Sequence, residues 1–198
     1  MGPELLQLGA LRLFFLSAVA SLSPPLENLG LQSYWSAARQ DNAALAVAAS
    51  QAAALGDGYI AAAPDGWVGN ADVARPAPDA LPLVTYWSAA FNDSMQVASA
   101  EGITYVKANN YTRVRQEGWV RASRPTGAAG AAYVKLQQYY MAARTDHYLV
   151  APPAVGIAER SGYHALWDEG WAPARQFTPN TWSLSLSLSL SLSLSLSL

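Results

Sequence analysis

The chain has 198 residues, a formal net charge of −2 and only 13% charged residues, so it offers no basic footprint for nucleic acid or an anionic membrane surface. It contains no cysteine, which excludes disulfides and thiolate metal sites. An apolar fraction of 52%, with 7 Trp and 10 Tyr supplying the bulk that alanine cannot, is enough for the core of one domain.

In chain order, Leu13-Phe14-Phe15-Leu16-Ser17-Ala18-Val19-Ala20 is an apolar run directly after Arg12, and it closes on an A-x-A signal. It predicts a secretory signal peptide over residues 1–20, cut near Ser21. Glu4 counts against this reading, and an apolar helix packed on the rest of the chain is the alternative. The run is shorter than the roughly 20 residues a membrane-spanning helix needs. Ser23-Pro24-Pro25 then predicts an extended linker over 21–30.

Three stretches follow with shared landmarks, over 31–68, 83–120 and 136–172. Tyr59, Tyr111 and Tyr163 lie 52 residues apart, as do Gly66-Trp67, Gly118-Trp119 and Gly170-Trp171. The upstream anchors Tyr34, Tyr86 and Tyr139 fall at 52 and 53, and so do Asp41, Asp93 and Asp146. A period kept through an insertion and a compensating deletion marks duplicated supersecondary units.

Each unit opens on a Leu- and aromatic-rich strand, Leu31 to Ser36, Leu83 to Ser88 and Leu136 to Met141. A polar turn carrying Asp41, Asp93 or Asp146 follows, where an aspartate ordinarily accepts backbone N–H groups two residues on. A second strand and a short helix come next, the helix entered at Ser50, Ser99 or Pro152-Pro153. Gly58, Asn110 and Gly162 end it as left-handed C′ residues. A third strand runs from the tyrosine to the corners Asp65-Gly66-Trp67, Glu117-Gly118-Trp119 and Glu169-Gly170-Trp171, whose glycine predicts a bulge or a close backbone approach. The expected fold class is therefore α+β, three ββαβ repeats closed with pseudo-threefold, trefoil-like symmetry. Gly69 to Pro82 and Arg121 to Lys135 are expected as loops. Residues 176–198 are expected as a disordered tail, with eight Ser-Leu pairs over Ser183 to Leu198 that suit a translated microsatellite.

Tyr139-Tyr140, Asp146-His147-Tyr148, Gly162-Tyr163 and Glu169-Gly170-Trp171 together resemble a family of tandem aromatic repeats of unknown function, found usually in threes in secreted bacterial and fungal proteins. The resemblance spans all three units; the second departs from it at Phe91, where the others have Arg39 and Arg144, and at Asn110, and the first at Asp65. It implies an extracellular, accessory role, and brings neither a ligand nor catalytic residues.

The ligand-binding candidates are the columns Trp67, Trp119, Trp171 and Asp65, Glu117, Glu169, because a flat apolar ring with one polar tip suits a sugar face and an adjacent carboxylate suits its hydroxyls. Three such weak sites would act together by avidity. Burial of the same tryptophans in a core is the competing reading. Hydrolysis by paired acids requires two carboxylates across one cleft, which recurrence in separate units does not favour. His147, His164, Asp146 and Asp168 lack metal-ligand spacing, and no Gly-x-Ser-x-Gly elbow is present. Asn92 and Asn110 begin N-x-S/T sequons. The sequence is thus read as a secreted, non-catalytic module without metal or cofactor that binds a glycan or another cell-surface component, the alternative being a structural or protein-interaction scaffold.

Overall fold

Strands carry most of the regular structure in a computed structural model that describes residues 28–174 apart from positions 73 and 153. The expected signal peptide and Ser-Leu tail lie outside the described residues. In order the elements are β1 (Asn28–Ser36), β2 (Asp41–Leu45), α1 (Ala48–Gly56), β3 (Ile60–Gly69), β4 (Ala80–Ser88), β5 (Asp93–Val97), α2 (Ala100–Ala108) and β6 (Thr112–Arg121). A 3₁₀ segment, Gly127–Ala132, precedes β7 (Tyr133–Met141), β8 (Asp146–Val150), α3 (Val155–Arg160) and β9 (His164–Pro173).

The expectation of an α+β fold with trefoil-like symmetry is corrected. About 50% of the structure is strand and 20% helix, and the 9 strands belong to one antiparallel sheet. Its path runs β2-β1-β3-β6-β9-β7-β8, with β4 and β5 branching from β6. In each third of the chain the long first strand pairs with both the five-residue strand and the ten-residue strand. The thirds join by single pairs, Gly69 with Trp119 and Arg121 with Trp171. The expectation underweighted strand because it assigned Ala80–Pro82 and Tyr133–Lys135 to loops by composition. Instead they pair with Arg121–Trp119 and Pro173–Trp171, whose backbone groups would otherwise lack partners.

The helices are short. Ser99 caps α2 by accepting from the Gly102 N–H at 3.0 Å, as expected. Ser50 does not cap α1, which starts two residues earlier, after Val47. The left-handed helix exits are present, with φ of 82° at Gly58, 56° at Asn110 and 91° at Gly162.

The core has a shared centre and three satellites. Leu31, Leu83 and Leu136 meet Val68, Val120, Ala172, Leu149 and small residues from all three thirds. Each helix then packs on its own strands: Tyr34, Leu45, Ala54 and Tyr59 form one satellite, and Met95, Val97, Val106 and Tyr111 another. Tyr139, Met141, Val150, Ala158 and Tyr163 form the third. A fully buried Leu contributes about 2 kcal/mol of transfer free energy, so the shared centre is what makes the thirds depend on one another.

Candidate functional site

The strongest polar constellation lies where β2, β5 and β8 pack together. Asp41, Asp93 and Asp146 open those strands, are each 1% exposed, and have facing oxygens within 4.8 Å of one another. Their turn role is corrected: each carboxylate reaches into the neighbouring third of the chain. Asp41 Oδ1 accepts the Ser94 N–H at 3.0 Å, Asp93 Oδ1 the His147 N–H at 2.9 Å, and Asp146 Oδ1 the Asn42 N–H at 3.1 Å. The second oxygen of each accepts the tyrosine hydroxyl of its own third, Tyr59, Tyr111 or Tyr163. Asn42 Nδ2 adds a bond to Asp146 Oδ2 at 2.8 Å, and His147 Nδ1 lies 2.8 Å from Asp93 Oδ2. The spacing would suit a cation, but every oxygen of the three already serves the packing, so the cluster is structural.

Burial dominates its electrostatics. Desolvation, aided by the charges of Asp93 and Asp146, pushes Asp41 up to about 8, and desolvation pushes Asp146 up to about 6. The hydroxyls of Tyr59, Tyr111 and Tyr163 are raised further by burial and by the carboxylates they face.

The acid-Gly-Trp corners are a second recurrent device. The pairing slips from Leu31–Gly66 to Gln32–Pro64, from Leu83–Gly118 to Val84–Gln116, and from Leu136–Gly170 to Gln137–Asp168. The extra residue is the acid each time, and a bulge of this kind re-aims the side chain it carries. It turns the acid inward. Glu117 Oε2 accepts the N–H groups of Ala46 and Val47, both at 3.0 Å, and its Oε1 accepts Ser50 Oγ at 2.7 Å and Thr85 Oγ1 at 3.1 Å. Glu169 Oε2 accepts the N–H groups of Ala98 and Ser99, both at 2.7 Å, and Oε1 accepts the Trp167 indole. Desolvation raises Glu169. Each glutamate thereby ties down the helix entry of the preceding third, Glu117 that of α1 and Glu169 that of α2. The predicted close approach is present: a Cβ on Gly118 would lie 2.5 Å from the Gly69 carbonyl oxygen, and one on Gly170 2.7 Å from that of Arg121.

Asp65 breaks this pattern. At the matching helix entry of the third unit stands Pro152, which has no N–H to give, and Asp65 is one methylene shorter than the glutamates. It receives the Ser33 hydroxyl, while Oδ1 is buried without a hydrogen-bond partner. Desolvation pushes the carboxyl up to about 7. Beside it opens a cleft of about 730 Å³ whose lining includes Gln32, Gln51, Asp65, Trp67 and Pro152.

Trp67 is also the odd member of its column. Its cross-strand partner is Gly30, whereas Trp119 faces Pro82 and Trp171 faces Lys135. The Lys135 ammonium and the Arg124 guanidinium lie 5.9 and 5.2 Å from the Trp171 ring centre. A Cβ on Gly30 would sit 3.5 Å from the Trp67 ring, so glycine there places no side chain over that part of the indole.

The candidate columns therefore do not form three equivalent sites. Glu117 and Glu169 are saturated by backbone and side-chain donors, Trp119 and Trp171 border a small separate pocket of about 120 Å³, and Asp65 and Trp67 share the large cleft. All three tryptophans are half-buried. Gly30, Gln32, Gln51 and Pro152 did not emerge from sequence reasoning; the signal for them was the shorter acid Asp65 in a glutamate column, with a glycine at 30 where the other units have Pro82 and Lys135 and a proline at 152 where they have Val47 and Ser99. Asn92 and Asn110 are both exposed, with the Asn92 amide donating to the Arg39 carbonyl at 2.9 Å. His164 and Asp168 are exposed on β9, Asp168 paired to Lys135 at 2.9 Å, while His147 is buried against Asp93.

The first-strand aromatics explain the Phe91 departure. The Arg39 guanidinium lies over the Trp87 ring at 5.4 Å and that of Arg144 over Trp35 at 5.3 Å. Tyr140, third in that column, instead packs on the His147 ring at 4.6 Å, and Phe91 stacks on Tyr111 at 5.9 Å. No helix among the described residues is long and apolar enough to cross a membrane. Compared with protein-family models, curated proteins and solved structures, the chain finds no match in any of the three.

Proposed function

We propose that the protein is a secreted, non-catalytic module that binds carbohydrate or another cell-surface component, and that it does so in the cleft between Asp65 and Trp67. The observation that supports this reading is the coincidence, at one corner, of an indole facing glycine and a buried carboxylate oxygen without a partner. A sugar ring offers an apolar face for the first and hydroxyl donors for the second. The amides of Gln32 and Gln51 add donors and acceptors along the lining. Secretion rests on the apolar run ending in Ala18-Val19-Ala20 and on the resemblance to secreted aromatic repeats. The non-catalytic reading rests on Asp65 being the one carboxylate among the described residues of the cleft, which leaves paired-acid hydrolysis without its second group there.

The scaffold alternative draws on the cation-covered Trp35, Trp87 and Trp171, which serve packing. A glycan array and polysaccharide pull-down with the full chain decide between them. Binding that Trp67→Ala abolishes and Trp119→Ala leaves intact supports the cleft. Absence of binding to any glycan, with all variants folded by circular dichroism, leaves the scaffold.

A further inference from the structure

The cleft has a chemical bias that the general carbohydrate reading does not include. Among the described residues its lining contains no Lys, Arg or His, and its one acid is Asp65. Elsewhere in the fold the corresponding acid is fully used: Glu117 and Glu169 each take a pair of backbone N–H groups at a helix entry. Pro152 removes one of those donors at the third entry, and the shorter Asp65 falls back from it. The unpaired oxygen therefore goes with two substitutions, a shorter acid on β3 and a proline at the matching helix entry. Gly30, paired with Trp67, places no side chain over the ring beside it.

An acceptor held at 4% exposure beside an open cleft is completed best by a donor that also carries charge. Resting on the carbohydrate reading, we infer that this cleft selects saccharides bearing a free amine over their acetylated or acidic counterparts. The ammonium donates to Asp65 Oδ1 while the pyranose face lies on Trp67. An N-acetyl group offers a neutral donor and a bulkier substituent. A uronic or sulfated sugar brings a second negative charge to a lining with no cation among the described residues to receive it.

The test is isothermal titration of the full chain at pH 7.5, above the range in which burial keeps Asp65 protonated, with three probes: the tetrasaccharides of glucosamine, N-acetylglucosamine and galacturonic acid. Because a charge-assisted hydrogen bond is roughly twice as strong as a neutral one, the glucosamine form is expected to bind about tenfold tighter than the acetylated form. The galacturonate form is expected to bind weakest. Asp65→Asn should bring the two glucosamine forms within about twofold of each other by removing that charge assistance, and Asp72→Asn, an exposed acid outside the cleft lining, should leave the preference intact. Equal affinity of wild type for the amine and acetylated probes overturns the inference without reference to any variant. So does a preference that survives in Asp65→Asn or is lost equally in Asp72→Asn, since general attraction to an acidic protein then explains it. If the probes and the glycan array are all negative, the carbohydrate reading itself fails and takes the inference with it. If the array is positive but the amine preference is missing, only the inference falls.

Discussion

Glu117 and Asp65 occupy the same position of the repeat and are both buried, yet their replacement should have opposite consequences. In Glu117→Ala the N–H groups of Ala46 and Val47 lose their acceptor, as do the hydroxyls of Ser50 and Thr85. The hydroxyls can turn to other acceptors, but the two backbone groups are fixed by the start of α1. At about 1–3 kcal/mol for each buried donor left unsatisfied, the loss is roughly 4 kcal/mol. For a domain of this size that lowers Tm by on the order of 12 °C. Asp65→Asn removes a charge that burial disfavours and breaks no set of backbone bonds; Ser33 Oγ keeps Tyr148 Oη within 3.2 Å. Its expected cost is under about 1 kcal/mol, and its sign turns favourable as pH rises. The folded-state pKa of Asp65, about 7, exceeds the unfolded carboxylate value. Its contribution is therefore complete at acidic pH and is lost as pH climbs through 7, so the variant gains on wild type between pH 5 and 8. Urea titrations of the three proteins at pH 5, 6.5 and 8 measure this. Equal destabilisation by both substitutions, or a variant difference for Asp65→Asn that does not change with pH, would refute the assignment of Asp65 as the acid left unpaired.

The wild type itself should be most stable in weakly acidic solution. Asp146, Asp65 and Asp41 are pushed to about 6, 7 and 8, all above their unfolded values, so protons held by the fold are lost as pH rises. At up to about 1.4 kcal/mol per proton per pH unit, a loss of order 3 kcal/mol between pH 6 and 8 is expected; thermal melts that stay level or rise over that range would contradict it. Tyr111→Phe should cost about 2 kcal/mol in chemical denaturation, by depriving the buried Asp93 carboxylate of a hydroxyl donor. Gly118→Ala should be poorly folded, since its Cβ would fall 2.5 Å from a backbone oxygen of β3, whereas Gly58→Ala meets open space and bears only the cost of its positive φ, about 1 kcal/mol. Comparable soluble yields and melting points for the two alanine variants would show that β3 and β6 do not approach as described.

The landmarks of the repeat were legible because they answer to local chemistry. Gly58, Asn110 and Gly162 are required by left-handed helix exits, and the corner glycines by close backbone approach, so periodic spacing revealed both. The extent of sheet was hidden, because Ala80–Pro82 and Tyr133–Lys135 have loop-like composition and are strands only through their partners. Partner identity was hidden as well. Asp41, Asp93 and Asp146 were visible as a column, but the groups they bind lie in neighbouring thirds, 53, 54 and 104 residues away. The cleft was half legible: Asp65 and Trp67 were marked by recurrence, while what sets them apart, Gly30 and Pro152, stands at positions where the units share no residue.

The bond from Asp146 to the Asn42 N–H has a consequence for synthesis. The first third of the chain is held by a residue 104 positions downstream, and the middle third by Glu169, 71 positions beyond the Ala98 N–H it accepts. Neither can be completed while the last third is still inside the ribosome. Nascent chains that stop before β9 would leave the ribosome with open sheet edges and bare apolar strands, and the cell would have to treat them as unfinished protein. The three thirds of the fold therefore mature together, and only once β9 has emerged.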